Sequence, residues 1–107
     1  MDLKNELELL QQKINEAESK GLPLNKYATR AIELLQQSLD EFKKRMAGQG
    51  RLDDDTEVAR IEIRQYSAMR ELSQKAGLPT EKYDKLIKDV QIRIFGEENW
   101  ENFFGEQ

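Results

Sequence analysis

Apolar residues recur along this chain with a helical period. At its start they fall at Leu3, Leu7, Leu10, Ile14 and Ala17, spaced 4-3-4-3. That is a narrow seam of the kind that packs at a shallow angle against a neighbour. The second segment is broader: Leu24, Tyr27, Ala28, Ala31, Leu34, Leu35, Leu39, Phe42 and Met46 form its stripe, with Ile32 at the edge. At about 100° per residue these positions span roughly 160° of a helix, which predicts contact with two neighbours. In a third segment Val58, Ile61, Met69, Leu72 and Ala76 share a face, with Gln65 among them and Tyr66 beside it. A fourth carries Tyr83, Leu86, Ile87, Val90 and Ile94. The pattern predicts helices near 2–20, 23–47, 55–76 and 79–95.

The breaks between stripes are as clear. In "AGQGRLDDD" at 47–55, Gly48 suits the left-handed position that ends a helix. Asp54 followed by Glu57 resembles a capping box, and the acids from Asp53 to Glu57 suit a helix N-terminus. Two further breaks, "KGLPLNKY" at 20–27 and "AGLPTEKY" at 76–83, share one turn chemistry. Gly21 and Gly77 fit the positive-φ position past a helix end. Leu22 and Leu78 fit the next position, which commonly seals the last turn. Pro23 and Pro79 stop the old helix and preset the first turn of the next. Tyr27 and Tyr83 then point inward. Beyond the turn only Ala31/Ile87 and Leu34/Val90 match in character, and Ile14 aligns with Arg70, so convergence on one turn is preferred to internal duplication.

These elements predict an all-α protein: an antiparallel four-helix bundle of two helical hairpins over residues 1–95, followed by a short acidic aromatic segment at 96–107. A chain of 107 residues is one domain, able to bury roughly two-thirds of the surface its unfolded form exposes. No apolar run is long enough for a membrane span. The start "MDLKNELELL" has an acid at once and no hydrophobic core of a signal peptide, so the expected location is the cytoplasm.

Composition narrows the function. There is no cysteine and no histidine, which removes disulfides, thiolate nucleophiles and imidazole bases. Zinc, non-haem iron and Glu-x-x-His di-iron sites lose their usual ligands, so no metal or cofactor is expected, and no enzyme. The acidic run at 53–55 fails as an EF-hand, since the sixth position is Val58 and the twelfth Arg64. "GQGR" is too short to cradle a phosphate. Four of the 21 acids, Glu97, Glu98, Glu101 and Glu106, lie in the last twelve residues with no base. The remaining acids therefore balance the 17 bases, and the tail carries the whole net charge of −4. Neither part has the basic excess of a nucleic-acid or membrane binder.

Three sets of residues remain as candidates. "ELSQKAGLPTEKYDKLIK" has the outline of a helix-turn-helix, which makes a small DNA-binding regulator an alternative. Its second helix would present Glu81, Asp84 and Asp89 against Lys82, Lys85 and Lys88, a poor match to phosphates. A ligand-binding cavity served by Arg64, Gln65 and Tyr66 is a second alternative. The third set is apolar. Leu9, Ile63 and Ile92 lie roughly 120°, 140° and 180° off their stripes, either scattered or converging on a patch. In "FGEENWENFFG", Trp100, Phe103 and Phe104 share a helical face. That face either caps the bundle over Ile92 or Ile63, the preferred reading, or docks into a partner. Exclusion then leaves a small soluble protein–protein interaction module, an adaptor, regulator or inhibitor, with a protein partner or self-association as a homodimer. The expected contact residues are Trp100, Phe103, Phe104, Ile63, Ile92 and Leu9.

Overall fold

The computed structural model describes residues 2–51 and 56–105. They form five helices, with no strand among the described residues: α1 Leu3–Ser19, α2 Asn25–Gly48, α3 Thr56–Lys75, α4 Glu81–Phe95 and α5 Glu97–Phe104. The capping box expected at Asp54 and the acidic run at 53–55 lie outside the described residues.

Local chemistry sets the ends. The Asp2 carboxylate accepts the Asn5 backbone N–H at 2.8 Å and so caps α1. Both GLP turns close in one way. The Leu22 N–H donates to the Ala17 carbonyl at 2.8 Å, and the Leu78 N–H donates to that of Ser73 at 2.8 Å, across glycines with φ of 68° and 74°. The turns run longer than the sequence suggests. Leu24 and Thr80 are the N-caps, so Pro23 and Pro79 stand just ahead of the new helices rather than in their first turns. Leu22 stays 54% exposed and seals nothing, whereas Leu78 is half-buried. The third break differs from its expectation. Gly48 is still helical, and it is Gly50, at φ 69°, that turns the chain, with the Arg51 N–H donating to the Met46 carbonyl at 2.8 Å.

The helices pack on their sequence neighbours, as in a bundle: α1 on α2, α2 on α3, α3 on α4, α4 on α5. The narrow seam of α1 meets one neighbour and the broad stripe of α2 meets two, as their widths predict. One core joins Leu10, Ile14 and Ala17 of α1 to Ala31 and Leu34 of α2, with Leu72 and Ala76 of α3 packed against it. The other joins Leu39 of α2 to Ala59, Tyr66 and Met69 of α3 and to Tyr83 and Val90 of α4. Among the described residues no Cα of α1 comes within 8 Å of one in α4, the pair that would close a four-helix ring. The molecule measures 45 × 39 × 15 Å and has a radius of gyration of 15.7 Å, against about 13 Å for a compact chain of this length. It is a flat array with α1 at one edge and α4–α5 at the other.

The face of α3 is turned by about one residue from its expected setting. Val58, Ala59, Glu62, Tyr66, Met69 and Ser73 are its buried positions. A helix between two neighbours buries two flanks, and here the line between them runs through an acid. The same placement brings Ile63 against the second core.

Candidate functional site

The tail forms a real helix because glycine allows a reversal before it. Gly96, with φ 87° and ψ 151°, ends α4, and its N–H donates to the Ile92 carbonyl at 2.7 Å. The Asn99 side-chain amide donates to the Phe95 carbonyl at 2.8 Å. Glu97 and Glu98 then occupy the first turn of α5, where the helix dipole favours negative charge. Past its end, Gly105 is buried, and a Cβ there would lie 2.3 Å from the Glu101 carbonyl oxygen.

Among the described residues α5 packs on α4 alone. The seat is the flank that carries Lys88, Gln91 and Phe95, about 100° round α4 from the Val90 face that meets α3. The Trp100 indole N–H donates to the Gln91 side-chain oxygen at 2.9 Å. The Lys88 ammonium lies 4.4 Å from the Trp100 ring centroid, a cation–π distance. Phe104 stacks at a tilt, its centroid 6.1 Å from Trp100 and 6.2 Å from Phe95. The three tail aromatics therefore separate. Trp100 and Phe104, one turn apart, face α4. Phe103 points away and is 71% exposed, and Phe95 and Phe104 are about half exposed beside it.

The other predicted residues are dispersed. Ile63 packs against the second core, outside the reach of α5. Ile92 is half-buried on α4, next to Gln91. Leu9 is 41% exposed on α1, at the opposite edge of the array. There it lines a cleft of about 300 Å³ with Glu6, Leu10, Lys13, Lys26, Tyr27 and Arg30. An adjoining cleft of about 380 Å³ shares Lys13 and Tyr27 and extends to Lys20, Leu22 and Pro23. A third, of about 270 Å³, opens between α1 and α3 over Ala31 and Leu35.

The residues of the two alternatives are also dispersed. Tyr66 is buried, Gln65 half-buried and Arg64 exposed, so they do not converge on one cavity. On the helix after the second GLP turn, Asp84 accepts from Arg70 at 2.5 Å and Lys88 is committed to Trp100. Among the described residues no three acidic side chains gather as a metal site would need, and no helix is long and apolar enough to cross a membrane.

One polar centre has no forerunner in the sequence reading. Glu62 is 1% exposed, yet its carboxylate accepts a hydrogen bond from Arg93 of α4 and has the Lys43 ammonium of α2 3.6 Å away. Three helices thus meet on one buried charge. Beside it, burial raises the Tyr66 hydroxyl above its ordinary pKa, and the negative charges of Glu62 and Asp40 add to the rise while Arg93 opposes it. Hydropathy marks Glu62 as a surface residue, and only the two cations from other helices explain its place. The seat of the tail differs from the expected cover over Ile92 or Ile63 and is the flank of Gln91, Lys88 and Phe95. Lys88, Gln91 and Phe95 stand at helical spacing on one flank, just ahead of the aromatics they receive.

Comparison of the chain with protein-family models, with curated proteins and with solved structures found no match.

Proposed function

We propose that this chain is a small cytoplasmic protein–protein interaction module, an adaptor, regulator or inhibitor. Its scaffold is two antiparallel helical hairpins laid side by side, and its contact surface is the aromatic ridge of α5. The observation that supports this reading is the exposure of Phe103, 71% open beside the half-open Phe95 and Phe104, on a helix already held by Trp100. A large aromatic left in water forgoes roughly 1.5–3 kcal/mol of burial that a partner pocket can return. Because α4 holds α5 in place, little ordering entropy opposes docking. The reading invokes no catalytic group, metal, cofactor, membrane or nucleic acid.

The test is affinity capture from the native cell with the full chain, the chain lacking residues 97–107, and Phe103→Ser. Far-UV circular dichroism controls for folding. Partners, including further copies of the chain, are expected to be retained by the full chain and lost from both variants while helicity persists. Capture that is indifferent to both changes would remove α5 as the contact surface.

A further inference from the structure

Round α5 from Trp100, Phe103 lies about 60° to one side and Phe104 about 40° to the other. Phe104 is the one turned in, its ring centroid 6.2 Å from that of Phe95, while Phe103 is 71% exposed. A roll of α5 by about 50° would set Trp100 and Phe103 against α4 instead of Trp100 and Phe104. The two candidates are both phenylalanines, so the gain from burying one or the other is nearly the same. The joint does not forbid the roll, since Gly96 has nothing within 4 Å of the place of its missing Cβ. The Asn99 side chain ties the first turn to the Phe95 carbonyl at 2.8 Å, an exposed link that water can replace. No residue of α5 is buried, and its 8 residues are too few for a stable helix in isolation. Its setting therefore depends on what grips it. The grip is on Trp100, in the middle of α5. Gln91 takes the indole by its edge, accepting the N–H at 2.9 Å. Lys88 takes it by its face, with the ammonium 4.4 Å from the ring centroid. Edge and face together fix the plane of the ring and the direction of its N–H, and with them the roll of the helix.

We infer that Lys88 and Gln91 are positioning residues of the aromatic ridge: by gripping Trp100 they select the setting of α5 in which Phe104 turns in and Phe103 turns out. This rests on the reading of α5 as a contact surface and adds what aims it. With the grip in place, one phenylalanine is presented in one direction. Without it, the two settings interchange, and each phenylalanine is open for part of the time. Apparent affinity for a partner that takes Phe103 then falls with the fraction of chains in the competent setting. The contribution of Lys88 and Gln91 is thus to orientation, and neither has to touch the partner.

Fluorine NMR of the full chain labelled with fluorophenylalanine tests this. The chain has four phenylalanines and so gives four signals, assigned with single Phe→Leu variants. The change of each signal between light and heavy water measures how open that ring is to solvent. In the wild type Phe103 is expected to be clearly more open than Phe104. In Lys88→Met with Gln91→Leu the ratio of the two settings is expected to shift by about tenfold, the worth of one hydrogen bond with one exposed cation–π contact, and the two signals to converge. Lys88→Met alone is expected to narrow the difference, and Lys88→Arg, which keeps a cation on the ring, to preserve it. A role in stability alone would not make Phe103 and Phe104 alike. Far-UV circular dichroism establishes that the variants fold, and where the double variant loses helicity the two Lys88 variants carry the comparison. Phe103 remaining the more open ring without the grip overturns the inference and leaves the contact-surface reading standing. Phe103 no more open than Phe104 in the wild type sinks both.

Discussion

The carboxylate of Glu62, on α3, accepts a hydrogen bond from the guanidinium of Arg93, on α4, inside the second apolar core. The acid is almost wholly buried, while Arg93 and Lys43, its two cationic neighbours, are each about one-third exposed. That asymmetry decides which loss costs more. A cation left without its acid can turn to water, but the acid left without its cation cannot.

Arg93→Ala is therefore expected to destabilise the protein, by less than the roughly 3–5 kcal/mol of a fully stranded buried charge, because Lys43 stays beside the carboxylate. Glu62→Met is expected to cost less, since Arg93 and Lys43 rehydrate. The double change Glu62→Met with Arg93→Met should recover most of the loss, because an apolar pair of similar volume replaces a buried ion pair at little or no cost. Urea unfolding at neutral pH measures all three. Equal costs for the two single changes would mean that the carboxylate is hydrated in solution.

Tyr66 ties the same centre to pH. Its hydroxyl is raised above the ordinary value, first by burial and then by Glu62 and Asp40. Below about pH 10 the folded and unfolded chains both keep this proton, so it contributes no slope. Above that, the unfolded chain releases the proton first, and stability is lost as pH rises toward the folded value. Tyr66→Phe is expected to flatten this fall relative to the wild type, as read from urea midpoints on either side of about pH 10. Tyr27 and Tyr83 are common to both proteins and cancel in the comparison. Parallel pH curves would show that Tyr66 titrates like an open tyrosine.

Much of this architecture can be read from short-range chemistry. The Leu3–Ala17 seam and the wide stripe of α2 announce one neighbour and two. Gly21 and Gly77 mark the turns because a positive φ is a local demand that few other residues meet. What could not be read depends on distant partners. The buried face of α3 is centred on Glu62 because Lys43 and Arg93 arrive from two other helices. Spacing alone puts Trp100, Phe103 and Phe104 on one side. Only the flank of α4 at Lys88 and Gln91 decides that Trp100 and Phe104 turn inward and Phe103 outward.

The end of α2 offers a sharper contrast, because two nearby glycines sit in opposite backbone regions. Gly48 is helical with open space around its missing Cβ, whereas Gly50 has φ 69° and equally open space. Gly48→Ala is expected to stabilise by about 0.5–1 kcal/mol through helix propensity. Gly50→Ala should destabilise by about 1–2 kcal/mol, the cost of a side chain in the left-handed region. Packing against the rest of the protein cannot produce the difference, since neither Cβ meets an atom beyond its local backbone; the cost at Gly50 is the approach of Cβ to the following carbonyl oxygen. Thermal or urea unfolding of the two variants decides the matter, and the reverse order would place the helix end at Gly48.

Trp100 is the only tryptophan, so its fluorescence reports the docking of α5 without interference. Its indole N–H is held by Gln91 and its ring by Lys88. Gln91→Leu removes the acceptor, and Lys88→Met removes the charge while keeping the alkyl reach. Each is expected to shift Trp100 emission to the red as the indole gains water, and the double variant further than either. Because α5 packs on α4 alone among the described residues, its loosening should leave the two cores intact. The urea midpoint followed by far-UV circular dichroism should then move little, by no more than about 1 kcal/mol in stability, the worth of one hydrogen bond or one exposed cation–π contact. Tail loosening and global unfolding thus become separate transitions in the double variant, the first seen by fluorescence and the second by ellipticity. Coincident transitions displaced together would mean that α5 is bound into the cooperative fold of α1–α4, and that the aromatic ridge cannot come free without unfolding the rest.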